Sequence, residues 1–144
     1  IAMKITQGPW ALPLKGVRVS AGFPSPAEDY LDVDIDLNQH LIRRPSSTFF
    51  LRVSGHSMIN AGVHDGDLLV VDRSLNPKPG NIVIAILDGA FTVKRLTRTL
   101  GVLRLEAENP EFPALELSHY EDVQIWGVAI YSIHNLKSSQ PQKN

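Results

Sequence analysis

Short apolar segments separated by closely spaced turn sequences constrain the fold of this chain more than any other feature. Residues 82–87 and 91–96 flank Asp88-Gly89, a two-residue sequence typical of tight β-hairpins. Residues 48–53, 67–71, 103–105 and 123–133 are likewise apolar, β-branched or aromatic, and PKPG at 77–80 predicts a turn. The pattern predicts a mainly β fold, either a sandwich or a partly closed barrel of short strands, with the long segment 123–133 as a central strand.

The N-terminal residues differ in composition from the rest. Residues 1–29 contain four prolines and show neither helical nor strand periodicity, which predicts an extended arm. We therefore predict an arm at 1–29, a domain at 30–136 and a polar tail at 137–144. Just beyond the arm, apolar residues alternate with aspartates from Leu31 to Leu37, which predicts a strand. Asp36 could equally cap a short helix running to Arg43, and the sequence leaves both interpretations open.

Composition excludes several classes of protein. The 144 residues are 43% hydrophobic, which suits one globular domain. The absence of cysteine excludes disulfide scaffolds, zinc ribbons, iron–sulfur ligation and thiol catalysis. A net charge of -1 argues against a dedicated nucleic-acid binder. Apolar runs are far shorter than a membrane span and no secretory signal pattern is visible, so we expect a soluble cytoplasmic protein.

The titratable residues show no metal-binding spacing. None of the histidines forms an HExxH pair or lies at a zinc-ligand spacing, so we interpret all five as isolated surface or turn residues: His40, His56, His64, His119 and His134. Three aspartates do not match a calcium loop and are interpreted as solvated turn carboxylates: Asp65, Asp67 and Asp72. We therefore expect neither a metal nor a cofactor.

Two residues are candidates for nucleophilic catalysis. The sequence SGHSM, which contains Ser57, directly follows the predicted strand 48–53, where a sharp turn can expose a hydroxyl and free N–H groups. A serine in a turn is more commonly a hydrogen-bonding residue. Lys94 lies on the predicted hairpin, where a lysine usually extends its amine to solvent. If it is covered instead, desolvation lowers its pKa and it can act as a general base.

Three motifs, in the same order along the chain as in a known family, give this sequence a family resemblance. SGHSM, HDGDLLVVDRS and GNIVIAILDGAFTVKRL resemble the Ser-Lys self-cleaving peptidases that include LexA, UmuD and the phage repressors. SAGFPSPAEDY at 20–30, IDLNQHLIRRPSSTFFLRVSG, and ENPEFPALEL followed by VQIWGVAIYSI resemble the UmuD branch. The similarity runs from about Ser20 to Ile133. The chain departs at Asn81, where many members have Asp, with no evident mechanistic consequence.

The resemblance implies a LexA/signal-peptidase-like β fold and assigns site residues. Ser57 matches the nucleophile and Lys94 the general base. Ala21-Gly22 matches the bond that is cleaved, and the backbone N–H groups of His56 and Ser57 match the oxyanion donors. The side chain of His56 matches no catalytic group.

The function implied is that of an SOS-response mutagenesis protein. The resemblance implies self-cleavage stimulated by RecA filaments on single-stranded DNA. The processed product would form a homodimer and act as a subunit of an error-prone translesion polymerase with a UmuC-like Y-family catalytic chain.

Two alternatives remain: a non-cleaving interaction module on the same fold, and the peptidase domain of a LexA-like repressor without its DNA-binding domain. The residues ahead of Ala21-Gly22 include only three basic residues, Lys4, Lys15 and Arg18, and no helix-turn-helix is expected in them.

Overall fold

The fold is given by a computed structural model, which describes residues 3–4, 11–15, 21–22 and 32–137. The chain forms two compact units, one of residues 6–43 and the other of residues 1–5 with 44–144. The predicted boundary at residue 29 falls inside the smaller unit. Most of the predicted polar tail, residues 138–144, lies outside the described residues.

The smaller unit contains a two-stranded antiparallel sheet followed by a short helix. Strand β2 (Ala11–Lys15) pairs with β3 (Asp32–Asp36), and helix α1 (Leu37–Leu41) begins directly afterwards. The Asp36 carboxylate accepts a hydrogen bond of 3.0 Å from the Asn38 N–H, which caps the helix. The segment therefore forms a strand and then a short helix, so both of the interpretations that the sequence left open apply. Strand β2 lies within the predicted arm, and its Pro13 is tolerated because both strands of this sheet are edge strands.

The larger unit is built on one antiparallel sheet. Its strands are β1 (Met3–Lys4), β4 (Thr48–Arg52), β5 (Leu68–Asp72), β6 (Ile82–Leu87), β7 (Ala90–Thr99), β8 (Val102–Glu106), β9 (Leu115–Glu116) and β10 (Val123–Ile133). Their order is β1-β4-β5-β10-β6-β7-β8-β9. Short 3-10 helices occupy Pro45–Ser47, Ile59–Ala61 and Leu117–His119. The prediction of a mainly β fold is confirmed, in its partly closed form, because the sheet curls into a half-barrel.

Two local predictions about this sheet are confirmed. Strands β6 and β7 form a hairpin in which Asp88 has a φ of 47° and Gly89 a φ of 87°, the left-handed conformation that a tight two-residue turn requires. Strand β10 pairs with β5 on one side and β6 on the other, so it is a central strand. Within the described ranges, no helix has the length and apolar character needed to cross a membrane.

The hydrophobic core is divided between the two faces of the sheet. Adjacent residues Val83 and Ile84 belong to different clusters, because successive side chains on a strand point to opposite faces. One cluster consists of Val53, Met58, Val63, Leu69, Val71 and Ile84. The other consists of Val83, Ala85, Leu87, Leu96, Leu105 and Val128. The first cluster includes Met58, the residue after Ser57, and so supports the turn that carries the predicted nucleophile.

Candidate active site

Ser57 lies in the loop that leaves strand β4. Gly55 has a φ of 98°, a conformation that favours glycine, and its N–H donates to Asp65 Oδ1 at 2.8 Å. Met58 is buried in the core, and its carbonyl accepts hydrogen bonds from the Ala61 and Val63 N–H groups. Ser57 is therefore held in position by the turn at Gly55 before it and by the buried Met58 side chain after it.

A second segment, residues 108–109, fixes the peptide groups around Ser57. The Glu108 N–H donates to the Ser57 carbonyl at 2.8 Å, and the Glu108 carbonyl accepts from the Asn60 N–H. Asn109 Nδ2 donates to the His56 carbonyl at 3.0 Å. Neither Glu108 nor Asn109 lies in a sequence motif that indicates a role at the site. They lie about fifty positions from Ser57, and no local pattern reports a contact over that separation.

Lys94 lies in the middle of strand β7 and points into the protein. It pairs with Val83 of β6 and is only 9% exposed. Thr92 and Leu96 share its face of the strand because side chains alternate. Lysine is rarely buried to this degree unless its amine has polar partners.

The Lys94 amine has three such partners, each 3.1 Å away. They are Ser57 Oγ, Thr92 Oγ1 and the Val93 carbonyl. No carboxylate forms an ion pair with Lys94 among residues 32–137. Burial without a counter-charge disfavours the ammonium form and lowers the pKa of Lys94 below its ordinary value.

This set of partners suits the neutral amine. A neutral amine has two N–H donors, which Thr92 Oγ1 and the Val93 carbonyl can accept, and one lone pair, which is then available to the Ser57 hydroxyl. Thr92 has no motif of its own in the sequence, although its position two residues before Lys94 on a strand places both side chains on one face. The arrangement is chemically capable of taking a proton from Ser57.

A cleft adjoins Ser57 between the end of β4 and the start of β7. Its volume is about 260 Å³, and its lining is mainly apolar. The lining residues include Val53, Ser57, Met58, Phe91 and Thr92. The Phe91 side chain is 59% exposed, and its ring packs edge-on against Trp126, with centroids 5.7 Å apart. The cleft can receive an extended peptide beside the hydroxyl.

The other predicted site residues are placed as follows. The N–H groups of His56 and Ser57 donate no hydrogen bond within the described part of the chain, as oxyanion donors require before substrate binds. Ala21 and Gly22 are exposed residues at a bend in the smaller unit. The catalytic, oxyanion and cleavage-site roles all stay predictions.

Two interpretations of the polar residues were wrong. Asp67 and Asp72 are 2% and 1% exposed rather than solvated. His64 and His134 are not isolated, since their ring centroids lie 4.4 Å apart and both rings lie close to the Asp67 carboxylate. The error arose because strand pairing, which sequence spacing does not report, brings these residues together.

Comparison with known proteins identifies the family. The family described as Peptidase S24-like matches residues 13–130 of the chain. The chain belongs to this family. Protein ImpA from Salmonella typhimurium is 51% identical over 126 residues, which cover 87% of this chain and 85% of ImpA. Protein SamA from the same species is 48% identical over 127 residues, covering 88% of each chain.

A LexA repressor is a more distant relative. The LexA repressor from Verminephrobacter eiseniae is 38% identical over 127 residues, which cover 88% of this chain and 56% of that protein. The S24 family comprises serine peptidases of the LexA/UmuD type. Within it the chain is UmuD-like, and ImpA and SamA are UmuD-like SOS mutagenesis proteins. The resemblance inferred from the sequence motifs is confirmed.

Proposed function

We propose that this S24-family protein cleaves its own chain between Ala21 and Gly22 by means of a Ser57–Lys94 dyad. Ser57 is the nucleophile and Lys94 the general base. The observation that carries the proposal is the 3.1 Å separation of Lys94 Nζ and Ser57 Oγ, with the lysine buried and its pKa lowered by desolvation.

The reaction proceeds in two steps. Lys94 Nζ takes the proton of the Ser57 hydroxyl as Oγ attacks the Ala21 carbonyl carbon, and the His56 and Ser57 N–H groups stabilise the oxyanion. The bond to the Gly22 nitrogen breaks as that nitrogen accepts the proton held by Lys94 Nζ and leaves as an amine, which makes Lys94 neutral again. Water then attacks the acyl-enzyme ester, which regenerates the Ser57 hydroxyl and leaves a carboxylate on Ala21. The products have 21 and 123 residues.

The cleft beside Ser57 supports an intramolecular substrate. An extended segment can add to a strand edge and satisfy its backbone hydrogen bonds, and small residues such as Ala21 and Gly22 allow close approach of the peptide to the hydroxyl. Because the substrate belongs to the same chain or to a dimer partner, its effective concentration is high.

The proposed regulation of cleavage, and the proposed role of the cleaved chain, are those of UmuD-like proteins. The proposed stimulus is a RecA filament on single-stranded DNA, which favours the docked arm and so shifts the population toward cleavage. The processed chain is proposed to form a homodimer and to bind a UmuC-like Y-family polymerase in the cytoplasm during translesion synthesis. The UmuD-like relatives support this assignment.

The test follows the intact mass of the purified protein over time. We expect two products from a break between Ala21 and Gly22, absent in Ser57→Ala and Lys94→Ala. Matched controls are Ser118→Ala and Lys78→Ala, which change exposed residues and should cleave like wild type. If the wild-type chain stays intact at all pH values, RecA, single-stranded DNA and a nucleotide are added. Continued absence of cleavage would contradict the proposal and favour the non-cleaving interaction module.

The pH profile tests the role of Lys94 separately. Only the neutral amine can accept the Ser57 proton, so the rate without RecA should rise by about tenfold per pH unit below the Lys94 pKa and level off above it. Because burial lowers that pKa, the plateau should begin below the range where an exposed lysine titrates. A rate that shows no rise at any pH between the acidic and alkaline limits at which the chain stays folded would contradict a lysine general base.

A further inference from the structure

Three potential ligands converge on one side of the larger unit, apart from the Ser57–Lys94 dyad. Asp67 precedes strand β5, His134 follows strand β10, and His64 lies at the end of the loop that carries Ser57. His134 Nδ1 lies 2.5 Å from Asp67 Oδ1, and His64 Nδ1 lies 3.5 Å from Asp67 Oδ2. The ligand atoms of the three residues all lie within 4.8 Å of one another.

One of these atoms, His64 Nδ1, is buried and makes no hydrogen bond within the described part of the chain despite its nearby carboxylate. A buried ring nitrogen without a partner costs free energy, and a cation shared with the neighbouring carboxylate would satisfy it. The proposed function makes no use of this nitrogen, of Asp67 or of His134.

We propose that His64, Asp67 and His134 form a binding site for a divalent transition metal of the Zn²⁺ type. Two imidazole nitrogens and one carboxylate oxygen are a usual protein ligand set for zinc, with a fourth position left for water. At zinc–ligand distances of about 2.0–2.2 Å, tetrahedral ligand atoms lie roughly 3.3–3.6 Å apart. The 3.5 Å separation of His64 Nδ1 from Asp67 Oδ2 already meets this. His134 Nδ1 lies 2.5 Å from the other carboxylate oxygen, Oδ1, and must move away from it by about 1 Å.

The surroundings of Asp67 favour its role as a ligand. Its Oδ2 accepts hydrogen bonds from the His64 backbone N–H at 2.8 Å and from Ser132 Oγ at 3.0 Å, which fix the carboxylate in place as outer partners of metal ligands do.

The site is open to solvent on the histidine side. The side chains of His64 and His134 are 41% and 27% exposed, whereas Asp67 is 1% exposed, so a cation can enter and keep a water ligand. Coordination through His134 Nδ1 requires that this nitrogen carry no proton when the cation binds. The bound metal would join the end of the Ser57 loop to the ends of β5 and β10.

The experiment is calorimetric titration of the full chain, free of any polyhistidine tag, with Zn²⁺ alone. We expect one saturable site per chain in the wild type, and weakening by about tenfold or more in His64→Ala and in His134→Ala, since even outer-shell changes commonly cost 10- to 100-fold. His119→Ala is the matched control, because His119 also lies beside a carboxylate, Glu116, but belongs to no group of three potential ligands among the described residues. It should bind Zn²⁺ like wild type.

Further measurements distinguish this site from nonspecific binding. Mg²⁺ should not compete for the site, because imidazole ligands select transition metals. Zn²⁺ should raise the Tm of wild type and His119→Ala but not of the other two variants, and circular dichroism should show all of them folded. Absence of saturable binding, or equal affinity in wild type, His64→Ala and His134→Ala, would overturn the proposal and leave a hydrogen-bonded cluster.

Discussion

Gly127, in the central strand β10, offers a sharp test of how tightly the larger unit is packed. A Cβ at this position would lie 2.6 Å from Val71 Cγ1 and 3.3 Å from Arg73 Cγ. Ordinary carbon–carbon contacts are about 3.5–4.0 Å, so the overlap with Val71 is roughly 1 Å. Val71 is fully buried and cannot swing into solvent. We therefore expect Gly127→Ala to destabilise the fold by about 1–3 kcal/mol, the usual cost of overpacking.

A double-mutant cycle with Val71→Ala isolates the clash. Val71→Ala removes Cγ1 and should itself cost about 2 kcal/mol, from two lost methyl groups and the cavity left behind. In the double variant the new Cβ occupies part of that space. The loss of unfolding free energy in the double variant should therefore be smaller than the sum of the two single losses by about 1–2 kcal/mol.

The assay for this cycle is urea unfolding followed by circular dichroism, with unchanged m-values as a check. Gln124→Ala, an exposed change on the same strand, should stay within about 0.5 kcal/mol of wild type. Additive effects of the two substitutions, or a Gly127→Ala chain as stable as wild type, would refute the reasoning.

Two further predictions concern Asp72 and Asn109. Burial alone would raise the pKa of Asp72, but hydrogen bonds from Ser74, Ser47 and Arg44 outweigh it and hold that pKa below its ordinary value. This contribution to stability is therefore present above about pH 4, the unfolded pKa, and is lost as pH falls through the folded pKa. Between acidic and neutral pH, the urea midpoint of Asp72→Asn should change less with pH than that of wild type. The same change of midpoint with pH in both proteins would count against this role of Asp72. Asn109→Ala removes the 3.0 Å bond to the His56 carbonyl, so self-cleavage should slow by about 2- to 10-fold, from roughly 0.5–1.5 kcal/mol per hydrogen bond. Product formation by mass should show this slowing with an unshifted pH profile, and a wild-type rate would disprove the positioning role.

Local sequence pattern predicted the parts of this protein that depend on near neighbours. The Asp88-Gly89 hairpin follows from residues that accept positive φ at two adjacent positions. The alternation before Asp36 and its capping carboxylate specified both a strand and the helix after it. The motif around Ser57 and the one around Lys94 identified the family, which comparison confirms.

The local sequence pattern could not predict contacts between segments that are distant in the chain. Asn109 meets His56 and Asp67 meets His134 only after strands far apart in the chain have paired. Nothing near either residue in the sequence indicates its partner. For the same reason the sequence misassigned Asp67 and Asp72 to solvent, since polar composition suggests exposure unless the hydrogen-bond donors of other segments are known.

Ser57 and Lys94 show most clearly which features the sequence determines and which depend on the tertiary structure. Sequence by itself determined which serine and which lysine to examine, because each lies in a short motif with its own local geometry. Only the tertiary structure decided that they meet at 3.1 Å and that the lysine is buried. The curl of the sheet brings the loop after β4 to the face of β7, although three strands separate them in the sheet. Burial, and with it the lowered pKa of Lys94, depends on everything packed around a side chain and so belongs to the whole fold.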